Sequence, residues 1–268
     1  MEPFYFGKPS KLLFGNYHPP QGARIRDIGV VLCYPMGQEY IRSHRAFLQL
    51  AKLLSSNGFH VLRFDFYGCG DSEGNCNDGH INQWLADISI AVNELRSGCD
   101  VKHICLVGLR LGAAMSIIAG SKIDGVKGII IWDPIVNGKQ YLDELKHLHM
   151  QWLEGSFAKS QIRPKGKDYD EILGFVLTDS LKEELENLNL LKLRQKPADY
   201  ILIVESRQVA SNSLLKEHLD SIGVNLQYKH ISSPKVWVKV KENDENSNGL
   251  VPIKILQFIV SWISERFS

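Results

Sequence analysis

Apolar and polar residues succeed one another in two repeating rhythms along most of this chain. A continuous apolar run at residues 28–33 (IGVVLC) is followed by Phe47, Leu50, Ala51 and Leu54 at helical spacing, and Asn57 with Gly58 end that stripe as a C-terminal cap. The segment FHVLRFDF (59–66) gives a second strand. After a loop rich in Gly, Asp and Ser comes a helix whose Ile81, Trp84, Leu85, Ile88, Ala91, Val92 and Leu95 share one face. The unit repeats with HICLVG (103–108), a helix apolar on most sides in LRLGAAMSIIAG (109–120), and the strand VKGIIIWDP (126–134). Uninterrupted apolar strands belong to parallel sheets covered on both faces. The succession therefore predicts an α/β fold, a mostly parallel, doubly wound sheet with right-handed crossovers, preceded by an antiparallel pair near residues 3–18.

Residues 137–196 break the rhythm. They hold a predicted helix over residues 141–152, a basic and polar loop KSQIRPKGKDYD (159–170), and a second helix whose Ser180 and Glu183 have capping-box spacing. The expectation is one domain over residues 1–268 carrying this segment as a helical lid at the ligand edge of the sheet. The alternation resumes with DYILIVES (199–206), then a helix bearing Leu214, Leu215, Leu219 and Ile222 that stops at Gly223. Two β-like runs follow, NLQYKHI (225–231) and KVWVKV (235–240), then an acidic, Asn-rich loop at residues 242–248. The closing helix has Ile253, Leu256, Val260 and Ile263 at core-packing spacing.

Composition narrows the function classes. In 268 residues with 44% hydrophobic content the net charge is only +1, so there is no global pull toward nucleic acid, and nucleic-acid partners are not expected. No apolar run approaches the roughly 20 residues that span a bilayer, and MEPFYFGKPS has no charged start followed by an apolar stretch. The five cysteines (Cys33, Cys69, Cys76, Cys99, Cys105) are odd in number and lack metal-ligand spacing, which points to a reducing, cytoplasmic setting. FYGCGDSEG lacks the phosphate-loop pattern, and His147 and His149, two apart on a helix, point to different faces. No cofactor or metal is expected.

The candidate chemistry sits at GLRLG (108–112). A strand running directly into a helix through two flanking glycines is the geometry of a nucleophile elbow, with the central side chain thrown out over the sheet edge. Here Gly108 and Gly112 flank Arg110. With LCYPMGQEYIRSHRAF, FDFYGCGDSEG, IIIWDPIVNGKQYLDEL and ILGFVLTDSLKEELENLNL, this stretch resembles the α/β-hydrolase superfamily in its serine-aminopeptidase-like branch. More narrowly it is similar to the second type of hydrolase-like proteins associated with exosortase systems.

The resemblance implies a nucleophile, an acid and a histidine in that chain order. Arg110 stands at the nucleophile position, and a guanidinium offers only donors and never a lone pair for attack. The acid position is due at the end of ILIVES, where Glu205 is the one acidic residue among Glu205, Ser206, Arg207 and Gln208; the histidine position, before the last helix, has none, and His230 within NLQYKHI is the nearest. Ser116, Ser72 and Cys33 are the remaining nucleophile types near the motif. The oxyanion-hole donors implied by the resemblance are the backbone N–H groups of Leu111 and Met36.

A cation at a helix N-terminus meets a like-signed dipole, costing about 0.3–1 kcal/mol when exposed and up to ~2 when partly buried. An anionic partner is therefore expected for Arg110: Glu39 first, then Asp133, then Asp65. Either that pair plugs the site, leaving a hydrolase-like protein whose role lies in its surface, or Arg110 with Leu111, Met36, Glu39 and Asp133 forms a cradle for a small anionic or acyl ligand. Arg42, His44 and Arg45 would enrich the mouth of such a cradle. The competing expectation is an ester, thioester or amide hydrolase with a displaced nucleophile; a third is a protein partner bound through the lid. Trp132, Trp152 and Trp262 are expected in core or lid packing.

Overall fold

The computed structural model describes residues 1–21, 24–155, 169–207, 209–238 and 251–267. Eight strands form one sheet: β1 (Glu2–Lys8), β2 (Lys11–His18), β3 (Ile28–Cys33), β4 (His60–Phe64), β5 (His103–Leu109), β6 (Val126–Trp132), β9 (Tyr200–Glu205) and β10 (Asn225–His230). Their spatial order is β1-β2-β4-β3-β5-β6-β9-β10. β1 and β2 pair antiparallel, β2 runs antiparallel to β4, and every later neighbour is parallel. This is the predicted doubly wound sheet with its leading hairpin.

Strand pleating sends successive residues to opposite faces, and both faces are covered. On one, Val31, Cys33, Ile104 and Leu106 pack under α2 (Ile81–Cys99) and α3 (Leu111–Gly120). On the other, Val30, Leu32, Cys105 and Val107 meet α1 (Gly37–Ser56) and α7 (Ile253–Arg266). α6 (Ala210–Ser221) completes the first layer through Leu215 and Leu219. The expected stops are in place: Gly58 follows α1 at φ 86° and Gly223 follows α6 at φ 77°, a left-handed region open to glycine.

Between β6 and β9 the chain forms α4 (Gly138–Gly155), a hairpin of β7 (Tyr169–Ile172) with β8 (Phe175–Thr178), and α5 (Asp179–Asn187). The hairpin turns through Leu173 and Gly174, both at positive φ, without the Asn-Gly pair that advertises such a turn. Because β8 runs to Thr178, the cap of α5 falls there: Thr178 Oγ1 accepts the Leu181 N–H, and the expected box at Ser180 does not form. α5 is tied to the body by Glu184, whose Oε2 accepts the Ile81 N–H at 2.6 Å. This borrowed carboxylate caps α2, whose own N-cap His80 makes no side-chain cap bond.

Some apolar spacings mislead. The described part of KVWVKV, Lys235 to Val238, is a turn rather than a strand, and Trp237 is buried because it folds back over the sheet edge. Ile253 and Leu214 are exposed although Leu256, Val260, Ile263, Leu215 and Leu219 of the same stripes are buried. Trp132 and Trp262 are buried as expected, whereas Trp152 is half exposed and stacks on His149. The loop at residues 242–248 and most of the basic loop, residues 159–168, lie outside the described residues.

The joint of β5 and α3 explains the glycine pair. A Cβ on Gly112 would collide with the carbonyl oxygens of Cys33 and Tyr34, and one on Gly108 with the carbonyl of Gly112. Gly112→Ala is therefore expected to destabilise by about 3 kcal/mol in urea denaturation, since a backbone neighbour cannot rotate away. Gly98→Ala in α2, where an added Cβ meets nothing within 4 Å, should be neutral or stabilising in the same measurement.

Candidate functional site

β5 ends at Leu109, and the next residue makes the corner. Arg110 has φ 55° and ψ −118°, a conformation costing a non-glycine residue about 1–3 kcal/mol. Backbone bonds hold it there: its N–H donates to Trp132 O at 3.0 Å, and its carbonyl accepts from Ala113, Ala114 and, across the sheet edge, Ile135. The side chain then rises over the carboxyl ends of the parallel strands.

The guanidinium is almost dry, with its side chain 9% exposed, and two carboxylates engage it. Nε donates to Glu39 Oε1 at 2.9 Å and Nη2 to Glu144 Oε2 at 2.6 Å. Tyr141 OH donates to the other Glu39 oxygen at 3.0 Å, and the rings of Trp237 and Tyr141 lie 5.1 and 5.5 Å from the guanidinium carbon. Lys235 Nζ stands 4.0 Å from Glu144 Oε1. Glu39 lies in the first turn of α1, where a helix N-terminus favours negative charge, so one carboxylate offsets both that terminus and the misplaced cation of α3. Burial lowers the affinity of Arg110 for its proton, but Glu39 and Glu144 outweigh it and hold the group above its ordinary value. Burial raises the Glu39 carboxyl, opposed by the charge and hydrogen bond of Arg110 and by the Tyr141 hydroxyl.

Glu39 is thus the partner expected first. Asp65 is not one: it accepts Tyr40 OH at 2.8 Å and the Asp71 N–H at 3.1 Å. Asp133 makes no bond to Arg110 either. It sits just past β6 at φ 44°, its Oδ1 accepts the Ser206 N–H at 3.0 Å, and its Oδ2 has no partner among the described residues. Burial, opposed by the Ser206 N–H and the charge of Arg110, raises its carboxyl to about 6. Glu144 was not among the expected partners; its signal is positional, since it follows Tyr141 by three residues on the face of α4 that turns inward.

The five residues expected to form one cradle are divided. Arg110 and Asp133 line a cavity of about 400 Å³ that also meets Ser206, Asn212, Lys235 and Trp237. Met36 and Glu39 instead line a void of about 20 Å³ beneath the β7–β8 hairpin, with room for about one water. Tyr141 borders both, so the Arg110–Glu39–Tyr141 group is the wall between them. Leu111 lines neither and packs into the core; Arg42, His44 and Arg45 line neither. Four buried polar atoms on residues of the larger cavity have no partner among the described residues: Asp133 Oδ2, Ser206 Oγ, Asn212 Oδ1 and Trp237 Nε1.

The other triad candidates stand apart from this cavity. Glu205 is buried with its Oε2 accepting Tyr228 OH at 2.6 Å, while His230, its register partner on edge strand β10, is exposed. The Cys33 thiol is fully buried and pushed up to about 12 by desolvation. Ser116 donates to Gly112 O at 2.7 Å and Ser72 to Asp65 O at 2.6 Å, each tying down its own backbone. His147 faces Gln151 and His149 Nδ1 accepts the Leu173 N–H, so the two imidazoles share no site. No cluster of three or more metal-ligand side chains occurs among the described residues, nor any helix long and apolar enough to cross a membrane.

Residues 38–195, more than half of the chain, match the family described as serine aminopeptidase, S33. The chain belongs to that family. The human protein ABHD12B is 32% identical over 122 residues, covering 43% of this chain and 32% of that protein, so the chain spans about a third of the length of that relative. Among solved structures, Est1E of Butyrivibrio proteoclasticus with ferulic acid bound superposes with a TM-score of 0.67 at 15% identity, covering 98% of this chain and 96% of that one. Proline iminopeptidase of Mycobacterium smegmatis gives 0.65 at 10% identity over 100% of both chains. These likenesses establish the α/β-hydrolase fold.

Two measurements follow from the charges. Glu39→Ala leaves a buried guanidinium with one half-exposed partner and should cost about 3–5 kcal/mol in denaturant melts, whereas Glu144→Gln should cost about 1 kcal/mol or less. Because the folded protein keeps the Asp133 proton up to about pH 6 and the unfolded chain releases it near 3.8, this carboxyl contributes stability below pH 4 that is lost as pH rises through 6. Asp133→Asn should flatten the stability–pH curve over that window by about 3 kcal/mol, and an unchanged slope would contradict it.

Proposed function

We propose that this protein is a non-catalytic member of its family, a pseudo-hydrolase that binds a small anionic or acyl-type ligand at the carboxyl edge of its sheet. The observation that carries the reading is the ion-paired Arg110 at the crest of the elbow. A protonated guanidinium engaged by two carboxylates has no lone pair for attack, and no imidazole lines the larger cavity among the described residues. Of the candidates for a displaced nucleophile, Cys33, Ser116 and Ser72 are each tied to other work in the fold. What supports binding is a cavity of ligand size lined by Lys235 and by the polar side chains of Asn137, Gln140, Ser206 and Asn212.

The motif resemblance to hydrolase-like proteins of exosortase systems supports a role beside a biosynthetic or export pathway. The segment between β6 and β9 acts in this reading as a lid and offers a surface to a protein partner. Five free cysteines fit a cytoplasmic setting.

The wild-type protein is expected to show no turnover of short-chain chromogenic esters and no labelling by a fluorophosphonate. Arg110→Ser alone should remain inactive, because it restores neither the acid nor the histidine. Labelling that disappears when a single Ser or Cys is replaced would overturn the proposal in favour of a displaced nucleophile.

A further inference from the structure

Arg110 carries one positive charge, and the pair with Glu39 already neutralises it. Glu39 is 2% exposed, is bonded through both oxygens, and cannot leave without stranding the guanidinium. Glu144 is different. It is a second carboxylate on the same cation, its side chain is 34% exposed, and it lines the larger cavity. Its two oxygens address two donors, Oε2 meeting Arg110 Nη2 at 2.6 Å and Oε1 facing Lys235 Nζ at 4.0 Å. With Glu144 in place the four groups sum to zero charge. If Glu144 rotates into solvent, the remaining three carry a net +1, and a guanidinium edge and an ammonium face the cavity at the spacing of one carboxylate.

We infer that Glu144 occupies the seat of a ligand carboxylate: the cavity takes a small, polar monocarboxylate that displaces Glu144 from Arg110 and Lys235. This rests on the proposed ligand-binding role of the cavity and names the ligand's chemistry. Displacement needs only a side-chain rotation on α4, since Glu144 has solvent on its outer side. The body of the ligand must also be polar. Asp133, Asn137, Gln140, Ser206 and Asn212 all line the cavity, so its wall is rich in polar side chains. A hydrocarbon body would take these side chains out of water without offering them a hydrogen bond. A hydroxy- or amino-substituted carboxylate supplies what they lack.

The test removes the tethered occupant and offers a free one. In Glu144→Ala, acetate at about ten times its dissociation constant should raise the melting temperature by about 3–5 °C above sodium chloride at equal ionic strength. Wild type should respond at tenfold or higher acetate concentration, because Glu144 competes. Adding Lys235→Ala should weaken the response, and lactate should outperform propionate at equal concentration.

Identical effects of acetate and chloride in Glu144→Ala would overturn the seat; equal effects of lactate and propionate would overturn the polar body. Should Glu144→Ala fail to fold, titration of wild type with acetate decides the matter. A saturable change in tryptophan emission that vanishes in Trp237→Phe supports the seat, and no change refutes it. An acetate-indifferent Glu144→Ala protein whose wild type is still stabilised by another ligand through Arg110 would lose the seat and keep ligand binding. Ester turnover would defeat the non-catalytic reading and leave the acetate result standing.

Discussion

Arg110 and Glu39 are paired where neither could be left alone: the guanidinium is 9% exposed, the carboxylate 2%, and the separation is 2.9 Å. Such a pair adds little net stability over an apolar pair of the same shape, yet loss of one partner leaves a dry, uncompensated charge. Its effect is specificity of arrangement. Tyr141 must bring α4 over the elbow to satisfy the second oxygen of Glu39, and α1 must start where Glu39 can reach the corner. The charge therefore fixes how the segment after β6 lies across the sheet edge. It also decides where empty space remains, because the same three side chains separate the small void from the larger cavity.

The sheet beneath supplies rigidity for this arrangement. Arg110 holds a strained backbone through bonds to strand β6 and to the loop after it, while Gly112 lets α3 touch the carbonyls that end β3. Asp133, the other non-glycine residue at the edge with positive φ, is pinned by Val204 on β9 and by Ser206. Two strained residues on adjacent strand ends are thus fixed by their neighbours, and both present side chains to one cavity.

Much of this was legible in the residues. Continuous apolar strands, stripes at helical spacing and glycine stops gave the sheet and its helices because each is a local pattern whose burial the fold then satisfies. The elbow was legible because close backbone approach admits only glycine at residues 108 and 112. Glu39 could be picked from the sign of the charge and its place in a first helical turn. Glu144 could not, because only the tertiary angle of α4 decides which of its faces meets Arg110. Lys235 to Val238 imitates a strand because Trp237 is buried by folding over an edge, which alternation alone does not distinguish from pleating. The β7–β8 hairpin was hidden by a Leu-Gly turn, where positive φ at Leu173 is imposed by its context rather than by its side chain.

Glu184 gives the two helices flanking the β7–β8 hairpin unequal roles. Its carboxylate closes the open end of α2, so α5 cannot lift without fraying a core helix. α4 contributes Gln140, Tyr141 and Glu144 to the wall of the larger cavity, and α5 contributes nothing. One side of this roof is a foundation and the other a threshold. The wall of the cavity can therefore change by the swing of the Glu144 side chain on α4 while α5 and the end of α2 that it caps stay in place.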